Sequence, residues 1–172
     1  MSGYRTHFSV AAGCALVLII VTHRATPWIA WLSLTNIARI IASILGGLFP
    51  DIDIKSKGQQ LLYALVIPLL VAALLAKHIV FSILLSALAI IPPLLPHRGI
   101  THNFWFTLIA PLSGPFLVNV YCPEYTAYAF DLCVYFIMGA ISHLALDYGP
   151  REMIMKALQG NKRRSLTRPR KK

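Results

Sequence analysis

Pro50-Asp51-Ile52-Asp53 ends the long apolar run of residues 28–49 and places two carboxylates directly after it. The proline stops the run, because the residue before a proline is disfavoured in helical geometry. The same preference biases the segment toward an extended backbone, in which side chains two residues apart point the same way. Asp51 and Asp53 are therefore expected to face one partner together.

The composition predicts an all-α integral membrane protein. Of the 172 residues, 57% are hydrophobic and only 13% are charged, about half the charge of an average soluble domain. The apolar runs are too long for core strands or short helices, and their length suits membrane-spanning helices. The three cysteines form no CxxC or disulfide pattern, which argues against a thiolate metal site.

The apolar runs predict a bundle of about six transmembrane helices, over residues 8–21, 28–49, 60–76, 79–95, 103–120 and 126–146. The first run is also typical of a signal peptide, but no small-x-small cleavage sequence follows it, so we expect an uncleaved helix. Residues 1–150 form the transmembrane helical domain that carries the site. Residues 151–172 form a basic cytoplasmic tail.

Six spans distribute the basic residues unequally between the two sides of the membrane. One side holds thirteen of the sixteen lysines and arginines, namely Arg5, Lys55, Lys57, Arg98 and the nine between Arg151 and Lys172. The other side holds Arg24 and Lys77. The positive-inside rule places the thirteen, and with them the C-terminus, in the cytoplasm.

Seven metal-ligand candidates fall on that same side: His7, Asp51, Asp53, His97, His102, His143 and Asp147. In so apolar a chain, such groups are costly near lipid unless they have partners. His143 and Asp147 are four residues apart near a helix end, which stacks them on one helix face. Mixed imidazole and carboxylate ligands suit zinc, manganese or iron(II) better than magnesium or calcium. We therefore predict a metal site at the cytoplasmic face, most simply for zinc.

The number of candidates leaves the stoichiometry open. Seven residues exceed the three or four protein ligands of one catalytic zinc ion, so either two ions bind or some residues act as partners and bases. The alternative is that the aspartates are ordinary turn residues and the histidines are interfacial anchors. Their concentration on one predicted face favours the metal site.

Three spaced motifs carry a resemblance to a known family: LGGLFPDID at 45–53, HRGITH at 97–102 and GAISHLALD at 139–147. In this order they resemble the YdjM-like family of bacterial inner-membrane, metal-dependent hydrolases, some of them LexA-regulated. His7 fits that family's histidine before the first span. Ile54 and Asn103 depart from the family's usual His and Ser. The resemblance implies a multi-pass hydrolase of the bacterial inner membrane.

As a hydrolase, the chain would use a bound ion to activate water and to polarise a phosphoryl or carbonyl oxygen. His97 and Asp53 would complete a second ion or act as the general base. Arg98 would stabilise negative charge on a phosphate. A looser similarity to the zinc-dependent phospholipase C type makes a phosphate ester or phospholipid at the membrane surface the expected substrate.

Two other functions remain open at this point. A non-catalytic membrane protein would use a closed metal site to hold helix ends together. A metal or proton transporter would need ionisable groups along a path through the bilayer.

Arg39 and Asp131 lie inside predicted spans, away from the metal-ligand candidates. An unpaired arginine there costs about 2.5–3.5 kcal/mol on insertion scales. We therefore predict an Arg39–Asp131 ion pair with Asn36 as a third member. Ser9 with Gly13, and Ser43 with Gly47, have the small-residue spacing that lets helices approach closely.

The cationic tail is expected to bind anionic lipid headgroups and fix the orientation of the chain. Nucleic acid is a less favoured partner, because no aromatic residue lies between the charges to stack on bases.

Overall fold

The computed structural model describes residues 4–22, 33–53, 57–94 and 100–159, and within them every regular element is helical. The eight α-helices in these ranges are α1 (Tyr4–Thr22), α2 (Leu34–Leu48), α3 (Lys57–Leu75), α4 (Ile79–Leu94), α5 (Phe104–Ile109), α6 (Ser113–Tyr121), α7 (Thr126–Tyr148) and α8 (Pro150–Gln159). Short 3₁₀ turns follow α2 and precede α5, and two more precede α6 and α7. The all-helical class predicted from composition is confirmed.

Helices α1, α2 and α7 form the tightest packed unit, and small residues make it possible. A Cβ atom at Gly46 would overlap the Phe136 carbonyl of α7, and one at Gly139 would overlap the Ser43 carbonyl of α2. Ser43 Oγ also donates a 2.8 Å hydrogen bond to the Ala11 carbonyl of α1. The predicted close approach at Ser43 and Gly47 therefore occurs. At Gly13, in contrast, an added Cβ meets no described atom within 4 Å.

Helices α3 and α4 form a hairpin beside this unit. Lys77 turns the chain with a φ of 57°, as expected for the tight connection at 77–78. Tyr63 donates a 2.9 Å hydrogen bond across the hairpin to the Ala89 carbonyl. That carbonyl lacks its usual helical donor, because residue 93 is a proline with no N–H.

Within the described ranges, four segments are long and apolar enough to cross a membrane: Tyr4–Thr22, Gly58–Leu75, Phe104–Tyr121 and Pro123–Tyr148. The other two predicted spans correspond to α2 and α4, which have 15 and 16 residues. Helices of that length measure about 22–24 Å, less than the roughly 30 Å hydrocarbon core. The multi-pass topology and the count of six spans stay predictions.

The local geometry predicted around Pro50 is wrong. Phe49 keeps helical angles (φ −60°, ψ −42°) despite preceding a proline, and Phe49–Asp53 forms a 3₁₀ turn rather than an extended segment. Tertiary packing explains the difference, because Phe49 lies edge-on against Phe136 with ring centroids 5.5 Å apart. Ile52 is buried in the cluster formed by α3 and α4.

The predicted ion pair between α2 and α7 is confirmed. Arg39 Nε and Nη2 donate to the two carboxylate oxygens of Asp131 at 2.7 and 3.0 Å, and Arg39 Nη1 donates to Asn36 Oδ1 at 2.8 Å. Because α2 begins at Leu34, Arg39 lies about 7.5 Å from its start, and Asp131 lies equally far from the start of α7.

The beginning of the basic tail is helical. Gly149 ends α7 with a φ of 77°, and its N–H donates to the Ala145 carbonyl at 2.9 Å. Pro150 then occupies the first position of α8, where a proline needs no hydrogen-bond donor. Residues 160–172 lie outside the described part of the chain.

Candidate metal centre

Four chain segments meet at one end of the helices and bring together five of the seven predicted ligands. His7 lies at the start of α1, Asp51 in the turn after α2, His102 in the turn before α5, and His143 and Asp147 at the end of α7. The described side chains form two overlapping groups with metal-ligand spacing, His7–His143–Asp147 and Asp51–His102–His143. His97 and Arg98, as well as the side chain of Asp53, lie outside the described residues.

Two carboxylate oxygens alternate with two imidazole nitrogens in the centre. Asp51 Oδ1 lies 3.7 Å from both His102 Nε2 and His143 Nε2. Asp147 Oδ2 lies 3.7 and 3.6 Å from the same two nitrogens. Hydrogen bonds of this type are about 2.7–3.2 Å long, whereas ligand atoms around a tetrahedral zinc ion with 2.0–2.2 Å bonds lie about 3.3–3.5 Å apart. The spacing is closer to that of ligands around a common ion than to direct hydrogen bonds.

The tautomer of His143 is fixed by the backbone of α2. Its Nδ1 lies 2.7 Å from the Gly47 carbonyl oxygen, which can only accept, so Nδ1 carries the proton. In the neutral ring, Nε2 then presents a lone pair toward the oxygens of Asp51 and Asp147. This buried Nε2 has no hydrogen-bond partner among the described residues. A lone pair facing carboxylates is repulsive without a cation between them, so the residues present fit a bound metal ion.

His7 joins the centre through stacking and through the second oxygen of Asp147. Its ring lies 3.8 Å from that of His143, centroid to centroid, with an interplanar angle of 18°. His7 Nε2 is 3.5 Å from Asp147 Oδ1. His7 is 1% exposed and His143 is fully buried, so protein atoms rather than water surround both rings.

His102 is held by the short turn before α5. Thr101 is buried beside it, with Oγ1 3.3 Å from His102 Nδ1. Asn103 caps α5, since its Oδ1 accepts from the backbone N–H groups of Trp105 and Phe106 at 2.9 and 3.1 Å. Serine caps helices in the same way, so the departure of Asn103 from the family's usual residue preserves the local structure.

Asp51 is the most solvent-accessible of the five ligand candidates that the structure describes. Its side chain is 23% exposed, compared with 8% for Asp147. Gln59 donates to the Ile52 carbonyl at 3.0 Å and ties the turn that carries Asp51 to α3. Solvent therefore reaches the centre from the side of Asp51.

Sequence reasoning missed the supporting role of Gly47. The glycine was assigned to helix packing, yet its carbonyl also orients His143. The signal was its position three residues before Pro50, where the end of α2 leaves carbonyls without helical partners. The stacking of His7 on His143 left no signal in the spacing of the sequence.

The fold and the centre define an all-helical membrane protein with a His/Asp cluster at one end of its helices. The chain belongs to the YdjM inner membrane protein family, whose model matches residues 1–152. The predicted family is thereby confirmed, and with it an inner-membrane location at the level of the family. Neither the curated proteins nor the solved structures gave a match.

Proposed function

We propose that the chain is a membrane-bound, metal-dependent hydrolase. The observation that carries this proposal is the alternation of two carboxylate oxygens with two imidazole nitrogens at 3.6–3.7 Å. Zinc fits these N and O ligands best, and manganese or iron(II) also suit them. The ion would supply Lewis-acid polarisation of a phosphoryl or carbonyl oxygen and activation of a water molecule.

The residues of the chain would divide the remaining tasks. The Gly47 carbonyl keeps the His143 ring in its ligating tautomer, which is the role that outer hydrogen bonds have in metal sites. Asp51, at the accessible edge, would lie closest to the entering substrate. Arg98 and Asp53 stay predictions from the sequence, as a phosphate-binding group and a general base respectively.

A substrate at the cytoplasmic membrane surface follows from where the charges lie. The first residues after the centre form α8, with Ile154 and Met155 more than half exposed between Arg151 and Lys156. Seven further cations lie between Lys162 and Lys172. Apolar side chains next to cations suit an interface with anionic headgroups. We therefore propose a phosphate ester or phospholipid as the substrate class.

The transporter alternative has less support. A transport path needs ionisable groups at successive depths in the bilayer. Arg39 and Asp131, near the opposite helix ends, neutralise each other in a bidentate pair.

The test is metal content of the detergent-purified full chain by mass spectrometry, together with hydrolysis of a chromogenic phosphodiester. Asp51→Ala and His102→Ala should lose both metal and hydrolysis. His78→Ala, on the exposed turn between α3 and α4, is the matched control and should keep both. A folded wild-type chain that takes up no zinc, manganese or iron would refute the proposal. Metal without hydrolysis would favour the structural role instead.

A further inference from the structure

Asp147 presents its two carboxylate oxygens to different imidazoles. Oδ2 lies 3.7 Å from His102 Nε2 and 3.6 Å from His143 Nε2. Oδ1 lies 3.5 Å from His7 Nε2. An ion bound through Oδ2 therefore leaves Oδ1 and His7 facing each other outside its own set of ligands.

His7 is held next to this first set without belonging to it. Its ring stacks on that of His143, so the two rings lie face to face, and each directs its Nε2 toward a different oxygen of Asp147. The 3.5 Å separation of His7 Nε2 from Oδ1 exceeds the length of a good hydrogen bond, about 2.7–3.2 Å. It matches the roughly 3.3–3.5 Å between two ligands of one tetrahedral ion.

We propose that Asp147 bridges two divalent ions. Oδ2 would bind the ion held by Asp51, His102 and His143, and Oδ1 would bind a second ion together with His7. This inference rests on the proposed function, because both ions belong to the same centre.

The two positions differ in what they leave open. The first ion would have four protein ligands and would need to expand to five-coordination to take water or a substrate oxygen, whereas His7 and Asp147 are the two described ligands of the second. Among the described residues, the second position would therefore be the more open to water and to a substrate oxygen. Two adjacent cations would stabilise both the attacking and the leaving oxygen of a phosphate ester, which fits the proposed substrate class.

In the competing arrangement the centre holds one ion. His7 does not bind it and instead donates a hydrogen bond to the ligand Asp147. Manganese distinguishes the two arrangements without any assay of activity. The full chain, purified in detergent and loaded with Mn²⁺, should contain two ions per chain and give the spin-coupled signal of adjacent Mn²⁺ ions in electron paramagnetic resonance. His7→Gln should contain one ion and give the six-line signal of isolated Mn²⁺. His78→Ala should match the wild type.

Three results would overturn parts of this inference in distinguishable ways. One isolated ion per chain in fully loaded wild type would refute the second ion and leave the single-ion hydrolase intact. Loss of both ions in a folded His7→Gln protein would refute an independent second position. No metal in folded wild type would refute the proposed function as well. The wild-type spectrum decides the matter even if the variant fails to fold.

Discussion

Gly139→Ala should weaken both the packing of α2 against α7 and the metal centre one helical turn away. The new Cβ would overlap the Ser43 carbonyl oxygen and lie 2.7 Å from its carbon and 2.9 Å from the backbone nitrogen of Gly47. Ordinary contacts between heavy atoms are about 3.5–4.0 Å, so the helices must separate by roughly 1 Å. That shift would lengthen the 2.7 Å hydrogen bond from His143 to Gly47 beyond its useful range.

Three contributions determine how much Gly139→Ala changes the free energy of unfolding. Overpacking costs about 1–3 kcal/mol, and the lost hydrogen bond costs about 0.5–1.5 kcal/mol. Replacing a helical glycine with alanine stabilises the helix by about 0.8–1.0 kcal/mol. The net loss in the free energy of unfolding, about 0.5–3.7 kcal/mol, corresponds to a Tm lower by roughly 1–15 °C for a chain of this size.

Thermal unfolding in detergent and metal content measure the two effects of Gly139→Ala separately. Gly13→Ala is the matched control, since an added Cβ in α1 meets no described atom within 4 Å. The control should keep or slightly raise the wild-type Tm. If Gly139→Ala matches the wild type in both Tm and metal content, the link between helix approach and ligand orientation is wrong.

Three further substitutions test individual interactions by thermal unfolding in detergent. Arg39→Leu should destabilise the chain more than the double variant Arg39→Leu/Asp131→Leu. Removing one partner of a buried ion pair costs roughly 3–5 kcal/mol. The cost is smaller here because the Asp131 side chain is 31% exposed. Equal Tm values for the single and the double variant would refute the ion pair. Tyr63→Phe should cost about 0.5–1.5 kcal/mol by removing the donor to the Ala89 carbonyl, and an unchanged Tm would contradict this. Asn103→Ala should cost about 1 kcal/mol through loss of the cap and lower metal content, whereas Asn103→Ser should preserve both.

The residues of the centre could be predicted because polar groups are costly in an apolar chain. Only six acidic residues are present, so each one near a helix end carries information that it would lack in a soluble protein. The same cost predicted the partner of Arg39, since Asp131 was the acid at a matching depth in another span. Pairing followed from energetics alone, without any knowledge of the fold.

Local geometry and helix ends could not be predicted in the same way. The preference against helical angles before Pro50 is a local effect, and it is outweighed here by the packing of Phe49 on Phe136. Hydropathy placed the start of the second span at residue 28, whereas Ser33 caps α2 through a 3.2 Å hydrogen bond from the Asn36 N–H. The cap depends on a single hydroxyl group. A hydropathy average over many residues does not detect it.

Gly47 contributes both to the packing of the helices and to the orientation of the ligand candidate His143. Its missing side chain lets α1 approach, since a Cβ there would lie 2.6 Å from that of Ala11. Its carbonyl accepts a hydrogen bond from the His143 Nδ1–H and so directs Nε2 toward the carboxylates. A larger residue at this position would push α1, which carries His7, away from α2, whose Gly47 carbonyl orients His143. The ligand geometry therefore depends on how closely three helices approach, and a motif that lists only the charged residues omits the group that aligns them.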